Sequence, residues 1–488
     1  MPPGRTIGDG AAAALVFGAS AAVLVVEIVA LRLLAPYLGL TLETSTLVIG
    51  AALTAIAMGS WTGGRTADVV DPHRALAPLL ALSGVAVAVT PFVVRAAAEV
   101  AEGAFLLLAA GLTIMVPGAL LSAVTPMVVK LRLDDLHHTG TVVGRLSGIG
   151  TTGAIAGTVV TGFILISRVP VSGIMVGLGV LLVLAAAAVE VAVRRRPPVV
   201  PVVLVLLAGV GLALDRGGCD AETTYHCAVV VEDPQREGGR TLVLDGLRHS
   251  YVDLDDPTHL EFRYVRAIAA AVEAEFGEEA PVRAHHLGGG GVTLPRYLDE
   301  VRPGTRSTVS EIDPGVVQVD REQLGLRTDS DLRVRVEDAR NGLERMDDDS
   351  HDLVVGDAFG GVSVPFHLTT VEALSEVERV LTDDGVYAAN LIDHDPLAFA
   401  RAEVATLGQV FEHVALATDR TTATGRGGGN LVALASDSRL DVDRWAEQLD
   451  AHDVDWVVLD GARLDRWVDD TPVLTDDYAP VDQLLTPY

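Results

Sequence analysis

The first 214 residues constrain the fold most strongly, because they consist largely of long apolar runs. A helix needs roughly 20 apolar residues to cross a bilayer, and lipid admits only helices or closed barrels as spanning structures. Runs this long are helices, so the sequence predicts about seven spans and a multi-pass protein of the cell membrane. No cleavable signal peptide is convincing, since the first run leads directly into further spans. The predicted spans lie near residues 11–31, 43–62, 75–94, 104–128, 149–167, 172–193 and 198–214.

The acidic charge of the chain is concentrated after this apolar part. Residues 1–214 carry a net charge of +2, and the remaining residues carry −31, within a total of −29. Phosphate binding needs clustered Lys and Arg, so an acidic surface should repel nucleic acid. We therefore predict a transmembrane helical domain over residues 1–214, with the lipid bilayer as its partner. A soluble acidic part without a nucleic-acid partner follows it.

The side of the membrane that the soluble part faces depends on the last and shortest apolar run. With seven spans, the side richer in Lys and Arg also holds the amino terminus, which the positive-inside rule makes cytoplasmic. The soluble part would then face outward, whereas six spans would place it inside. The only cysteines, Cys219 and Cys227, follow this run. They either form a disulfide, as in an oxidising compartment, or remain two free thiols.

From residue 241 the hydrophobic periodicity changes to that of an α/β domain. "TLVLDGLRHSYVDL" predicts a β-hairpin and "PTHLEFRYVRAIAAAVEAEF" predicts a helix. Strands and helices then alternate, which is typical of a parallel sheet. Seven predicted strands, the last two close together, favour a Rossmann-like fold of the class I methyltransferase type. We predict a small β element with a linking helix over 215–280 and a nucleoside-binding domain over 281–488. The seven strands are "VRAHHLG", "RSTVSEID", "LRVRVED", "HDLVVGDA", "GVYAANLID", "FEHVALATD" and "NLVALAS".

The ends of the first two strands of this domain carry residues suited to a nucleoside. Ligands of such sheets bind at the carboxyl ends of the strands. Gly288, Gly289 and Gly290 follow the first strand, where glycine lets the backbone approach a ligand and the next helix offers free N–H groups. Glu311 and Asp313 follow the second strand, where an acid can accept protons from both ribose hydroxyls.

The next two strand ends extend the predicted site. Asp338 and Ala339 follow the third strand and are placed to recognise the adenine amine, and Asp357 follows the fourth strand at the reacting end. Each acid can also be an ordinary helix cap. Acids in register on successive strands nevertheless predict a site of the S-adenosylmethionine type. His285 and His286 are adjacent on a strand, point to opposite faces and are interpreted as structural. The sequence contains no cluster of metal ligands.

A set of motifs spread over roughly residues 220–400 and the carboxyl terminus resembles the spermidine synthase, or polyamine aminopropyltransferase, family. The resemblance is closest to a membrane-fused branch in which several spans precede the enzyme domain. The stretches that carry it are "ETTYHCAVVVED", "LVLDGLRHSYVDLDDP", "HHLGGGGVTLPRYL", "SEIDPGVV", "VEDAR", "VVGDAF", "VPFHLTTVEAL" and "LTDDYAPVDQLL".

The resemblance implies transfer of an aminopropyl group from decarboxylated S-adenosylmethionine to a diamine, without a metal. In this sequence Glu311 matches the acid that binds ribose and Asp338 matches the acid beside adenine. Asp357 matches the acid that holds the attacking amine and helps to remove its proton. Members of the family often self-associate, which implies a homo-oligomer.

The sequence departs from the family pattern where the two amines would bind. The family turn reads GGGDGG, and Gly291 stands here in place of its aspartate. His249 stands in place of a glutamine, and the family run Tyr-His-Glu appears as His259, Leu260 and Glu261. The nucleoside half of the site is thus retained, while the amine half has lost carboxylates. His249, His259 and Glu261 either form a different acceptor pocket or are ordinary polar residues.

Three functions remain open at this point. The first is a membrane-anchored transferase that uses decarboxylated S-adenosylmethionine or a related sulfonium and acts on an acceptor other than standard putrescine. The second is a methyltransferase that uses S-adenosylmethionine, because the acid that would repel the carboxylate of that donor is missing. The third is a non-catalytic protein whose soluble domain senses a ligand for the membrane part.

Overall fold

The computed structural model divides the chain into two units, Met1–Gly218 and Cys219–Tyr488. The predicted seventh span, 198–214, lies outside the described residues. Each unit has hydrophobic clusters of its own, so each is described separately. The structure describes residues 8–38, 42–100, 104–133, 139–166, 168–194, 219–329, 331–361 and 363–486.

The described part of the first unit is helical. Six of its helical segments are long and apolar enough to cross a membrane: 9–34, 44–69, 72–98, 111–132, 139–165 and 171–192. The segment 111–132 joins two helices that meet at Ala123. The helices are α1 (Asp9–Leu38), α2 (Leu42–Val69), α3 (Pro72–Val100), α4 (Ala104–Ser122), α5 (Val124–Arg132), α6 (Thr139–Val160, continued by a π turn Thr161–Leu165) and α7 (Val171–Arg194).

The second and fifth helical segments are longer than the sequence predicts. The second predicted span ends at residue 62, yet α2 continues to Val69, and the fifth is predicted from residue 149, yet α6 begins at Thr139. The added stretches are polar. The hydroxyls of Thr62 and Thr66 donate to backbone carbonyls four residues earlier, so the helix itself satisfies these groups.

Glycines on α2 allow it to approach its neighbours closely. A Cβ at Gly59 would lie 2.2 Å from the carbonyl oxygen of Ala119, and one at Gly63 would lie 2.6 Å from the Cα of Ala123. Small residues at such crossings let two backbones come together. The small residues of 59–68 predict close helix packing, which the structure shows. Arg65 within this stretch suggests a basic loop, whereas the stretch is helical.

The second unit begins with a small antiparallel sheet in the order β1-β2-β3-β4. The predicted hairpin is present as β3 and β4. Cys219 and Cys227 form a disulfide, with their Cα atoms 5.3 Å apart, at the start of this sheet. The strands are β1 (Ala221–Glu222), β2 (Cys227–Glu232), β3 (Gly239–Leu244) and β4 (Leu247–Asp253).

The main sheet has eight strands in the order β12-β10-β11-β9-β8-β5-β6-β7. The five strands from β7 to β9 are parallel, and β11, β10 and β12 are antiparallel to their neighbours. All seven predicted strands are present, and β12 is an addition. The strands are β5 (Arg283–Leu287), β6 (Arg306–Glu311), β7 (Leu332–Val336), β8 (His351–Gly356), β9 (Leu381–His394), β10 (His413–Thr418), β11 (Gly428–Ser436) and β12 (Val457–Asp460).

Helices cover both faces of this sheet, as continuous apolar strands require. One cluster of buried residues includes Trp445 and the apolar residues of the helix that starts at Arg263. A second cluster, formed by the alternate residues of the same strands with other helices, includes Leu374 and Leu407. The unit is therefore a Rossmann-like α/β domain. Its helices are α8 (Arg263–Phe276), α9 (Thr293–Val301), α10 (Pro314–Gln323), α11 (Ala339–Leu343), α12 (Val371–Val380), α13 (Ala398–Val410), α14 (Val442–Ala451), α15 (Gly461–Val468) and α16 (Val481–Leu484).

Candidate active site

A cavity of about 1060 Å³ lies at the carboxyl edge of the main sheet. Its walls come from β4, the first turn of α8, the glycine turn after β5, and the ends of β8 and β9 beside the start of β11. A cavity of this size can hold a nucleoside-sized ligand together with a small second molecule. Of the predicted site residues, Gly288, Gly289, Gly290, His249, Glu261 and Asp357 line it.

Asp357 is held in the cavity by two side chains that sequence reasoning missed. Tyr264 donates its hydroxyl to Asp357 Oδ2 at 3.0 Å, and Asn390 donates from Nδ2 to Asp357 Oδ1 at 2.8 Å. Asn430 in turn donates to Asn390 Oδ1 at 2.9 Å, which fixes the orientation of that amide. Burial raises the pKa of Asp357 to about 6, although both hydrogen bonds favour the ionised form and lower it. The carboxylate is therefore ionised near neutral pH and basic enough to accept a proton.

The glycine turn and Asp357 are in direct backbone contact. The Asp357 amide donates to the carbonyl of Leu287 at 2.9 Å, at the end of the neighbouring strand β5. Gly288 follows with φ of +102°, and a Cβ there would lie 2.3 Å from the carbonyl oxygen of Asp357. Only glycine fits this position without strain. The turn predicted to cradle the nucleoside thus lies beside the predicted reacting group.

Glu311 supports the glycine turn from the end of β6. Its Oε2 accepts the amide of Gly289 at 2.8 Å and its Oε1 accepts the amide of Asp313 at 2.8 Å. Burial raises the pKa of Glu311, while the two amide bonds lower it. The carboxylate is thus fixed against the turn, and Glu311 itself lies outside the lining of the cavity.

Asp313 is not brought to the cavity. It is fully buried and caps α10, where its Oδ1 accepts the amide of Gly315 at 2.8 Å. Its Oδ2 accepts the amide of Tyr225 at 2.9 Å and the hydroxyl of Thr223. Both oxygens therefore bind protein groups, and the carboxylate joins α10 to the turn between β1 and β2. In the structure Asp313 is therefore a helix cap, which is the alternative role that the sequence also allowed.

Asp338 and Ala339 lie at the end of β7, outside the lining of the cavity. Asp338 caps α11 by accepting the amide of Asn341 at 3.1 Å, and His367 Nε2 lies 2.9 Å from its Oδ2. Ala339 is buried. The residue predicted to recognise adenine is thus part of a carboxylate–imidazole pair, and sequence reasoning missed His367.

Of the three residues that the sequence suggests for an acceptor pocket, two line the cavity. His249 and Glu261 line it, whereas His259 does not, although its Nε2 lies 3.3 Å from Glu261 Oε2. Burial, aided by the neighbouring His226, lowers the pKa of His249 to about 4. At neutral pH the His249 imidazole is therefore uncharged. His249 therefore contributes a polar but uncharged group to the wall of the cavity.

The position of Gly291 is closed to a longer side chain. Gly291 has φ of +76°, and a Cβ there would lie 2.1 Å from Ser250 Oγ. Behind the turn, the buried Asp320 accepts the amide of Gly291 at 3.0 Å, and burial raises the pKa of Asp320 well above its usual value. Ser250 Oγ therefore occupies the space that the Cβ of an aspartate at this position would need.

The glycine-rich segment 424–430 has the composition of a flexible loop, yet its residues 427–430 form part of the cavity wall. Gly428 and Gly429 pair with His394 and Asp393 across β11 and β9, and both glycines line the cavity. The glycine-rich composition suggests a loop, but positive φ values at these glycines allow close strand pairing.

The adjacent histidines of β5, interpreted from the sequence as structural, are both buried. Burial lowers the pKa of His286 to about 3, and His286 is one of the residues that line the cavity. His285 Nε2 lies 3.3 Å from Ser310 Oγ on the neighbouring strand. Within the ranges that the structure describes, no group of three His, Cys, Asp or Glu side chains is placed to hold a metal ion.

Comparisons with known proteins give relatives by sequence and by structure. No protein-family model matches the sequence. The chain is 30% identical over 164 residues to a polyamine aminopropyltransferase of Vibrio vulnificus (strain CMCP6), an alignment that covers 32% of this chain and 54% of that protein. It is 26% identical over 282 residues to a probable polyamine aminopropyl transferase of Bifidobacterium longum (strain NCC 2705), covering 54% and 61%. The chain thus spans about half the length of the curated relatives it matches.

A solved structure shows the same fold over nearly its full length. The crystal structure of a probable spermidine synthase from Corynebacterium glutamicum ATCC 13032 superposes with a TM-score of 0.50 and 29% sequence identity. It covers 55% of this chain and 98% of the solved chain. The Rossmann-like unit is therefore similar to spermidine synthases and polyamine aminopropyltransferases.

Proposed function

We propose that this protein is a multi-pass membrane protein whose α/β unit is a transferase of the spermidine synthase type. Its donor would be decarboxylated S-adenosylmethionine or a related sulfonium, and its acceptor an amine other than standard putrescine. The observation that carries the proposal is Asp357, held by Tyr264 and Asn390 in a large cavity beside the glycine turn. The similarity to polyamine aminopropyltransferases supports it.

In this proposal the nucleoside end of the donor lies on the glycine turn. The backbone of Gly288 to Gly290 would contact the donor, and Glu311 would accept the ribose hydroxyl protons. Asp338 and Ala339 would contact the adenine once the ligand extends the cavity toward β7. The positively charged sulfur already activates the adjacent carbon for attack. These residues therefore align the donor and stabilise charge, and they do not take part in bond making or breaking.

The transfer step needs one proton acceptor. The acceptor arrives as an ammonium, which has no lone pair, and Asp357 takes one of its protons. The freed amine attacks the donor carbon next to sulfur, a C–N bond forms and the C–S bond breaks. The electron pair of the broken bond stays on sulfur, which leaves as a neutral thioether. Tyr264 and Asn390 keep the carboxylate oriented toward the amine throughout.

The proposal is tested with the purified full-length protein and two donors. Decarboxylated S-adenosylmethionine should give methylthioadenosine and an alkylated amine, detected by mass spectrometry. A methyltransferase would instead convert S-adenosylmethionine to S-adenosylhomocysteine. This second donor is included because residue 291 is glycine, so no acid there would repel the carboxylate of S-adenosylmethionine. Formation of S-adenosylhomocysteine alone would replace the proposal with that alternative.

The pH dependence of transfer should follow the ionisation of Asp357. Its raised pKa of about 6 means that the carboxylate is protonated, and unable to accept a proton, below that pH. We expect kcat/KM to fall about tenfold per pH unit below 6 and to level off above it. The measurement is a profile from pH 5 to 8, with tryptophan fluorescence confirming that the fold persists. A flat profile over this range would remove Asp357 as the base.

A second candidate function, ligand sensing without catalysis, is favoured by the Cys219–Cys227 disulfide. Disulfides persist mainly outside the cytosol, whereas a sulfonium nucleoside is a cytosolic metabolite. A membrane-impermeant maleimide, used with and without an impermeant reductant, separates the two functions. For a cytosolic transferase we expect labelling of the cysteines only after lysis, and without any reductant. Labelling in intact cells after the impermeant reductant would place the unit outside and support the sensor.

A further inference from the structure

The outer wall of the cavity carries two arginines beside one aromatic ring. Arg248 and Arg263 both line the cavity and both are exposed. The Arg248 guanidinium lies 5.1 Å from the ring centre of Phe262, and Arg263 is the next residue along the chain. Guanidinium groups recognise carboxylates through paired hydrogen bonds. This wall therefore presents a site for an anionic group.

One carboxylate stands on the same wall as the two arginines. Glu261 lines the cavity there, with 45% of its side chain exposed. Its Oε2 lies 3.3 Å from His259 Nε2, which leaves the other oxygen, Oε1, for a cationic group. The wall thus combines two positive side chains with the Glu261 carboxylate, and Asp233 interacts electrostatically with Arg248 from outside the lining of the cavity. Charges of both signs on one wall are complementary to a zwitterion.

An aromatic surface connects this wall to the reacting carboxylate. The ring centres of Phe262 and Tyr264 are 6.0 Å apart, and the Tyr264 hydroxyl lies 3.0 Å from Asp357 Oδ2. A flexible aliphatic chain can lie along these rings, because they exclude water from its methylene groups. Such a molecule would have one end at Asp357 and its other end at Arg248 and Arg263.

We propose that the acceptor is an amine whose far end is an α-amino acid head group, that is, a diamino monocarboxylic acid. Its carboxylate binds Arg248 and Arg263, its α-ammonium binds Glu261, and its terminal amine reaches Asp357. This inference rests on the proposed transferase function. A plain diamine fits the wall less well than a diamino acid, because its far ammonium faces the guanidinium groups of Arg248 and Arg263 and has no carboxylate to pair with them.

The test uses two acceptors that differ by one carboxylate, ornithine and putrescine. With decarboxylated S-adenosylmethionine as donor, we expect kcat/KM for ornithine to exceed that for putrescine by about tenfold or more. Arg263→Gln and Arg248→Gln should each lower the value for ornithine roughly tenfold and leave putrescine unchanged or improved. Arg306→Gln is the matched control, because Arg306 is exposed at the opposite, amino end of β6.

Binding, measured separately, distinguishes failure of this inference from failure of the transferase function. Calorimetric titration of ornithine and of putrescine, with methylthioadenosine present, requires no turnover. Tighter binding of ornithine that Arg263→Gln abolishes, together with transfer to ornithine, would support the inference. The same binding without transfer to either compound would keep the amino-acid site but overturn the transferase, and with it the role of ornithine as acceptor. Equal or better use of putrescine, in binding and in transfer, would overturn the inference and leave the transferase standing. Absence of both binding and transfer would overturn both.

Discussion

Asp357→Asn should lower kcat for group transfer by about a thousandfold while leaving the fold intact. The substitution keeps the size of the side chain but removes the proton acceptor, and general-base catalysis contributes roughly 10²- to 10⁴-fold. The raised pKa of Asp357 means that its ionised form is unfavourable in the folded protein. Above pH 6 the neutral amide should therefore make the protein as stable as the wild type or more stable. The measurements are kcat at pH 8 and the melting temperature of each protein.

Two further substitutions make this result specific to the position. Asp352→Asn removes a carboxylate from the same strand, β8, at its opposite end, where Asp352 pairs with Arg283. It should retain wild-type kcat. Tyr264→Phe removes one hydrogen bond that favours ionised Asp357, so it should move the acid limb of the pH profile to higher pH. If Asp357→Asn keeps kcat within a few-fold of the wild type, Asp357 is not the base.

The sequence predicted the architecture well because both units follow patterns of apolar burial. A bilayer requires long apolar helices, and a covered parallel sheet requires continuous apolar strands, so both patterns can be read without tertiary information. The prediction errors occur where polar side chains form hydrogen bonds within their own helix, or where an element is too short to show a pattern. Thr62 and Thr66 extend α2 by bonding its own carbonyls. The four-residue strand β12 was missed, since "VVLD" is too brief to show a period.

The candidate site was predictable only at the strand ends. Asp357 and the glycine turn follow predicted strands directly, so the topology alone brings them together. Asp313 shows the limit of that rule, because an acid before proline at the start of a helix is also the pattern of a helix cap. Tyr264 and Asn390 were missed, since they reach Asp357 from 93 and 33 residues away. Only the packing of α8 and β9 around the cavity brings these side chains together.

Gly288→Ala should lower the melting temperature of the α/β unit and abolish transfer, because the turn after β5 has no space for a side chain. The backbone φ of +102° costs an L-residue about 1–2 kcal/mol, and the new Cβ would lie 2.3 Å from the carbonyl oxygen of Asp357. The backbone must therefore shift at the point where the nucleoside and the base are both positioned. With a total cost of roughly 2 kcal/mol or more, we expect a loss of about 4–8 °C. Tryptophan fluorescence reports this unit through Trp445, Trp456 and Trp467.

Gly290→Ala provides the control from the same turn. A Cβ at Gly290 would meet only Leu242 Cδ2, at 3.5 Å, which is ordinary van der Waals contact, and the backbone there is not left-handed. Alanine should therefore fit, and the melting temperature should stay within about 2 °C of the wild type. The rate of transfer should fall far less than in Gly288→Ala, because the backbone of the turn keeps its conformation. Equal losses of melting temperature and of transfer in the two variants would mean that any added methyl group disturbs the turn. The close contact between Gly288 and Asp357 would then not be the reason why residue 288 must be glycine.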